Sequence, residues 1–446
     1  MNDLPEQKDT TLSFEKIKED ILRPMQNHKG LELWIVFLVT VIGVCAWAYY
    51  VQLRDGLGVT GMRDYVSWGL YIANFVFFVA VSLVGMLISS ILGLLKIDWI
   101  TPISRIAEIV AVAFVAVAGL VIVLDMGRPD RVLNVMIHGR FQSPILWDVT
   151  VITTYLTISV LLLILPMIPD LAICKNELKK ASPIMKKLYN ILSFGYINTP
   201  NQHKHLHKMI RTLMVLIVPV GLAIHTVTSW LFASTLRNGW DTTILGPYFV
   251  AGAFVAGAAA LIVAMYFFRV NYKLHDYITD VQFDKMGKLM VAVCLVYLYF
   301  NLNEFLVPGY KMKTGDGIHL KELFTGHWAI LFWSSQLFGN IIPVILLVTK
   351  KFRKPLPIMI ISLFILAGAW VKRYVIVIPT LLHPHLPIQN VPENFVHYYP
   401  SAIEISVTVL SFALALLIIT VLSKIFPVVP ICETADAKGI DYKIEA

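Results

Sequence analysis

Long apolar runs alternate with short polar stretches along the chain. Ten runs reach the roughly 20 residues that a helix needs to cross a bilayer. They cover about 31–53, 68–95, 103–125, 146–169, 208–232, 246–268, 288–308, 327–349, 356–380 and 403–425. Hydrocarbon offers no partner to a bare backbone amide, so each run is read as a helix. The pattern therefore predicts an all-α integral membrane protein of about ten transmembrane helices. Trp68-Gly69-Leu70-Tyr71 opens the second span and Leu245-Gly246-Pro247-Tyr248 opens the sixth, four spans later and in the same orientation. That echo predicts two four-helix bundles, helices 2–5 and 6–9, with helices 1 and 10 at the periphery. Around this 31–425 domain lie an N-terminal segment, 1–30, and a C-terminal tail, 426–446. In the first, Phe14, Ile17 and Ile21 recur at helical spacing among charged residues. This fits a short amphipathic helix on the membrane surface or a solvated tail with some helix. Ala46-Trp47-Ala48 imitates a cleavage site, but its run is too long for a signal-peptide core and is read as an uncleaved first span.

Composition agrees with this pattern. The 446 residues are 57% apolar and 15% charged, with a mean hydropathy of +0.71. No stretch is left for a soluble domain. The net charge of +8 sits in loops, so topology accounts for it and no nucleic-acid partner is expected. Lysines and arginines concentrate around 8–29, 175–204, 269–285 and 350–354, all on one side of a ten-span chain. The positive-inside rule then puts both termini in the cytoplasm of a multi-pass inner (cytoplasmic) membrane protein. Cys45, Cys174, Cys294 and Cys432 show no Cys-x-x-Cys spacing, so neither an iron–sulfur cluster nor a c-type haem is expected in this chain. His225 alone lies well inside a span, which leaves bis-histidine haem without a ligand pair. The His203-x-His205-x-His207 run is placed in a loop and is assigned no metal.

With this orientation, polar groups gather at the outer ends of the spans. Asn74, Asp125, Asp148, His225, Glu304, Lys372, Arg373 and Glu404 all fall there, whereas Arg105, Glu108 and Arg211 lie toward the cytoplasm. Each charged group inside a helix costs roughly 2.5 kcal/mol or more, so several together predict a polar pocket rather than rim anchors. Helix-joining ion pairs, such as Arg128 with Asp125 or Arg373 with Glu404, are the plainer alternative. Oxidation of a quinol needs proton acceptors and a hydrogen-bond partner for each oxygen, within an apolar wall for ring and tail. A secondary transporter would instead need a midplane site with a broken helix, for which Pro219-Val220-Gly221 is the candidate. A pure membrane anchor for catalytic partners would use the same residues as ion pairs.

Several segments resemble the NrfD/PsrC family, the membrane subunits of polysulfide-reductase-type assemblies, related to those of alternative complex III. They are Trp68-Gly69-Leu70-Tyr71-Ile72-Ala73-Asn74-Phe75, Asp125-Met126-Gly127-Arg128-Pro129 and Ser143-Pro144-Ile145-Leu146-Trp147-Asp148. Others are His225 to Trp230, Gly239-Trp240-Asp241-Thr242-Thr243-Ile244, Pro247-Tyr248-Phe249 and Arg373 to Val377. The resemblance implies a quinone-reactive subunit of a respiratory oxidoreductase. Its menaquinone or ubiquinone site would lie at the outer face beneath a ferredoxin-like iron–sulfur subunit. A multihaem cytochrome c or a molybdopterin-type subunit would complete the assembly, and proton translocation is a possible coupled activity. Carried over by motif position, Asp125, Asp148, Arg373 and His225 are the expected catalytic set. Asn74, Arg128, Glu304, Trp147 and Tyr71 are the expected quinone-pocket residues. The chain departs from alternative complex III relatives at Leu83-Val84-Gly85-Met86, where they carry His-Ala-Gly-Thr, at Asp125, where they carry His, and at Lys372, where many carry Glu.

Overall fold

The protein is described here from a computed structural model covering residues 13–26, 29–178, 182–235, 237–384 and 388–440. In chain order the helices used below are α1 (Phe14–Gln26), α2 (Lys29–Asp55), α3 (Leu70–Leu94), α4 (Thr101–Asp125) and α5 (Pro144–Ile164). They continue with α6 (Pro200–Ala233), α7 (Leu245–Asn271), α8 (Asp280–Lys311), α9 (Thr314–Phe324) and α10 (Ala329–Val348). The last are α11 (Pro355–Leu382), α12 (Ala402–Ile425) and α13 (Ile431–Ala437). Ten of these, all but α1, α9 and α13, are long and apolar enough to cross a membrane. The protein is an all-helical integral membrane protein.

The spanning helices close into two rings. In one, α3 packs on α4, α4 on α5, α5 on α6 and α6 back on α3. In the other, α7 contacts α8 and α11, and α10 bridges α8 and α11. The rings meet back to back through α3 and α7. The core window of α3 is 89% buried and that of α7 is 78% buried, against 6% for α2, so the two echoing spans are the central ones and α2 is peripheral. Small residues allow the contact: a Cβ on Gly257 of α7 would lie 2.9 Å from the Val81 carbonyl oxygen of α3. The α2–α12 pair packs together outside the first ring, against α4.

The spans alternate in direction, which gives the bundle two ends. α1 and α13 lie at one, called the base, and the opposite end is called the crown. The structure refines three expectations. First, α1 is a helix whose apolar face is covered within the chain: Ile17, Ile21 and Leu22 are buried against α12 and α13. Second, the fifth span begins at Pro200 rather than near 208, because Thr199 and Gln202 form a capping box with Pro200 as first residue. The histidine run is therefore helical, and the His203 and His207 rings, one turn apart, are 4.1 Å from each other. Third, Pro219 leaves α6 continuous. The irregular turn lies in α10, where Leu337–Ile341 widens to π geometry and Gly339 packs on Gly368 of α11.

Candidate functional site

The crown ends of α3, α5, α6, α7, α8 and α11 carry the buried polar side chains. Asn74, Asp148, His225, Glu304, Lys372 and Arg373 are each less than a tenth exposed. In a membrane core each must find a partner or serve a ligand.

Asp148, in the first turns of α5, accepts a 2.6 Å hydrogen bond from Thr228 of α6. Tyr71 of α3 donates to Gln52 of α2 at 2.6 Å, and Gln52 donates onward to the Leu124 carbonyl at 2.8 Å, one residue before Asp125. The Asp125 Oδ1 atom is buried without a hydrogen-bond partner. Asn74 joins three helices: it donates to Thr408 of α12 at 2.7 Å and accepts from the Trp370 indole of α11 at 2.8 Å.

The second ring holds the basic groups. Arg373 forms no ion pair among the described residues, and its Nη1 has no hydrogen-bond partner. Its guanidinium lies 4.7 Å from the Phe249 ring centre and within electrostatic range of His225, Tyr248 and Tyr297. His225 Nε2 is likewise buried without a partner. Tyr248 and Tyr297 stack at 5.3 Å, and the Tyr248 hydroxyl donates to Asn301 at 3.1 Å. Asn301 in turn donates to Gln336 at 2.7 Å. Lys372 points its ammonium into aromatic faces, 4.6 Å from Phe305 and 4.8 Å from Phe332. Glu304 accepts from Thr242 at 2.8 Å.

Two glycines give way to this arrangement. A Cβ on Gly252 of α7 would stand 2.9 Å from Arg373 Nη2 and 3.0 Å from Tyr297, so only glycine lets the guanidinium lie against α7. Gly252→Val is expected to destabilise the detergent-solubilised chain by about 1–3 kcal/mol, read as a lowered thermal midpoint, because the clash is with packed groups. Gly239 has φ of +86°, and a Cβ there would lie 2.8 Å from His319 of α9. Burial, then the nearby His383 and Lys372, lower His319 to about 4, so its imidazole is neutral at physiological pH.

The residues named from sequence thus fall into neighbouring groups. No hydrogen bond or ion pair joins Asp125, Asp148 and Arg373 directly among the described residues. Arg128 lies on the surface, paired with Asp130 at 3.0 Å rather than with Asp125. Trp147 is 38% exposed and donates to the Phe141 carbonyl. Glu404 does not pair with Arg373. It accepts from Tyr398 and from the Gly61 amide, each at 2.6 Å, and from the Ser401 amide at 2.9 Å, which makes it a cap and loop anchor. Of the network of Tyr248, Tyr297, Asn301 and Gln336, only Tyr248 falls in a segment that the sequence marks. The others are ordinary residues in apolar runs, and only their convergence marks them.

Beside this set runs an apolar groove of about 1120 Å³ between α7 and α11 on one wall and α12 on the other. Phe77, Phe114, Phe267 and Phe412 line its length, and Trp370 and Thr408, the two partners of Asn74, line it as well. Hydrocarbon fits such a groove, whose polar lining at Asn271, Tyr272, Thr420 and Ser423 lies toward the base.

These features define a polytopic helical membrane protein with buried polar side chains gathered at one end and a long apolar groove. Comparison of the sequence narrows the class: residues 58–384 match the family model NrfD, polysulphide reductase, and the chain belongs to that family. It is 30% identical over 329 residues to a putative dimethyl sulfoxide reductase membrane subunit of Halobacterium salinarum, covering 72% of this chain and 70% of that one. It is 24% identical to a selenate reductase subunit of Mesobacillus selenatarsenatis, over 90% of this chain and 94% of that one. With the menaquinone reductase integral membrane subunit of Nitratidesulfovibrio vulgaris it shares 25% identity over 89% of this chain and 92% of that one. Its relatives are membrane subunits of oxidoreductase complexes, and its own role lies in such a complex.

Proposed function

We propose that the chain exchanges electrons between a membrane quinone pool and a partner subunit, with the quinone head group held at the crown. The observation that carries this is the set of buried, unpartnered polar atoms at the crown, Asp125 Oδ1, His225 Nε2 and Arg373 Nη1, in a chain that also holds an apolar groove lined by Trp370 and Thr408, the partners of Asn74. A purely anchoring subunit has no use for such atoms in hydrocarbon, where each costs about 1–3 kcal/mol. The menaquinone named for one relative supports the same choice of ligand. A quinol supplies two electrons and two protons per turnover, and a quinone takes them up in the reverse direction.

Arg373 is fixed over Phe249 and offers donors to a head-group oxygen. Asp148, held by Thr228, accepts a proton from the reduced ring or returns one. Asp125 serves the neighbouring position at the mouth, and His225 orients the head group through its free nitrogen. Asn74, braced by Trp370 and Thr408, sits at the junction of pocket and groove, and the groove takes the isoprenoid tail. Glu304 and Tyr71 stabilise the pocket walls. The excess of lysine and arginine at the base over the crown supports an orientation with both termini in the cytoplasm of the inner membrane and the crown outside.

A partner with an iron–sulfur centre would dock on that outer face. The α4–α5 loop presents Leu133, Ile137 and Phe141, 67%, 68% and 87% exposed, beside Arg131 and Arg140. An apolar centre with a basic rim suits an acidic-rimmed protein face. Phe141→Asp is expected to reduce partner recovery at least about 10-fold in affinity purification, with the membrane chain itself still produced.

The reading is tested by titrating the purified chain with a hydrophobic quinol analogue and following tryptophan fluorescence. Saturable binding near one equivalent supports it. Absence of binding while an electron-carrying partner still co-purifies would leave the anchor reading in its place.

A further inference from the structure

In the sequence, Lys350, Lys351, Arg353 and Lys354 mark membrane orientation, and in the structure they also border a cavity. They occupy the short turn that joins α10 to α11 at the base. Arg353 is committed to holding that turn. It pairs with Asp284 of α8 at 2.7 Å and donates to the Leu347 and Val348 carbonyls at 3.3 Å each, which closes the end of α10. Asp284, the acid on the facing helix, is shared with Lys288 at 2.7 Å. Lys350, Lys351 and Lys354 are exposed, and none of them joins an ion pair among the described residues.

A second apolar groove, of about 440 Å³, runs from this turn toward the crown between α10 and α11. Helix packing creates it. The two helices touch where the π-geometry turn sets Gly339 on Gly368, so closely that a Cβ on Gly339 would lie 3.0 Å from the Gly368 Cα. Toward the base they separate, and Ile342, Leu356 and Ile360 line the gap. Phe338 and Phe364, with ring centres 6.4 Å apart, stand at its inner end, and both are half exposed, so the groove opens to lipid. Phe352, inside the basic turn, lines its outer end.

The depth of the groove and the charge at its mouth together select an occupant. Phe364 lies nine residues beyond Pro355, which is about 14 Å along a helix. That is the depth of one leaflet, half of a hydrocarbon core about 30 Å thick. An acyl chain in the groove therefore brings its head group to the turn. Each basic residue at a membrane surface favours an anionic lipid about 5-fold, and three of them here are unpaired. The N-terminal end of α11, which no side chain caps, adds to the positive field at the same place. A zwitterionic lipid gains less, because its head group carries its own cation, and an uncharged quinone gains nothing from the lysines.

We propose that the α10–α11 groove binds one anionic phospholipid, with an acyl chain along the groove and the head-group phosphate among Lys350, Lys351 and Lys354. The lipid fills the gap between two helices of the second ring. The site is separate from the crown and from the larger groove beside α12, so it is tested without quinone.

The test is native mass spectrometry of the full chain released from nanodiscs that hold phosphatidylglycerol and phosphatidylcholine in equal amounts, with identical acyl chains. One phosphatidylglycerol is expected to stay bound under activation that strips phosphatidylcholine. Lys350→Gln, Lys351→Gln and Lys354→Gln combined should lower its retention about 10- to 100-fold. These side chains are exposed and unpaired, so the variant is expected to fold, and its thermal midpoint checks this. Ile360→Trp, which fills the groove and leaves the charges, should lower retention as well. Excess inorganic phosphate should not displace the lipid. Equal retention of the two lipids, or retention unchanged in the lysine variant, would overturn the proposal. Unchanged retention in Ile360→Trp or displacement by phosphate would also overturn it, by reducing the site to a surface charge. So would a second copy of the chain or a partner helix held at this face in place of lipid.

Discussion

Replacing Asp148 with asparagine is expected to lower quinol turnover by about 10²–10⁴-fold while the complex still assembles. The substitution keeps the shape, and the asparagine oxygen still accepts the 2.6 Å bond from Thr228. What it removes is the capacity to take a proton. Asp148 is 3% exposed and touches no cation among the described residues, so nothing structural depends on its charge. Turnover with an artificial quinol, measured beside the thermal midpoint, separates the two roles. Normal turnover in a stable Asp148→Asn variant would remove this residue from the proton path.

Arg373→Ala is the second large effect. The side chain offers charged donors in a dry site, and such bonds carry about 1.5–3 kcal/mol each. Affinity for the quinol analogue should therefore fall about 10- to 100-fold. No ion pair among the described residues is broken, so any loss of stability comes from the vacated packing over Phe249, and affinity is measured on the folded fraction. Its unpartnered Nη1 makes the native arginine a burden unless a ligand meets it. A variant that binds normally yet melts later would show the guanidinium to be idle. Arg373→Lys restores charge without the planar fork and is expected to recover only part of the affinity.

Much of the fold was legible because a bilayer imposes a harsh rule on sequence. Ten apolar runs of membrane-spanning length leave few other arrangements. The echo between Tyr71 and Tyr248 pointed to two bundles, and the structure adds that the two echoing spans are the central ones. Two capping boxes, Ser401 with Glu404 and Thr199 with Gln202, set the starts of their helices. The capping box at Thr199 was readable and would have put the histidine run in a helix. Loop limits blurred because amphipathic helix ends carry too little hydrophobicity to register.

The candidate site was legible only as a list. Depth along a span follows from residue number, so Asp148, His225, Glu304 and Arg373 could be assigned to one end. Which of them face each other depends on helix rotation, and hydropathy is blind to rotation in a run that is apolar all round. Glu404 shows the consequence: it shares the right depth but spends its oxygens on the Tyr398 hydroxyl and the Gly61 and Ser401 amides. Arg128 shows another, since proximity in sequence to Asp125 did not make them partners. The aromatic cage of Lys372 comes from three helices and leaves no local signature.

The central claim is that a quinone head group occupies the crown pocket with its tail in the groove between α7, α11 and α12. Photo-crosslinking with a short-tailed azidoquinone, followed by peptide mapping, tests it directly. The account predicts label on the crown halves of α3, α6 and α11, around Asn74, His225 and Trp370 to Arg373, competed away by unlabelled quinol. Label confined to the lipid-facing surface of α2 or α8, or label that excess quinol does not displace, would contradict it.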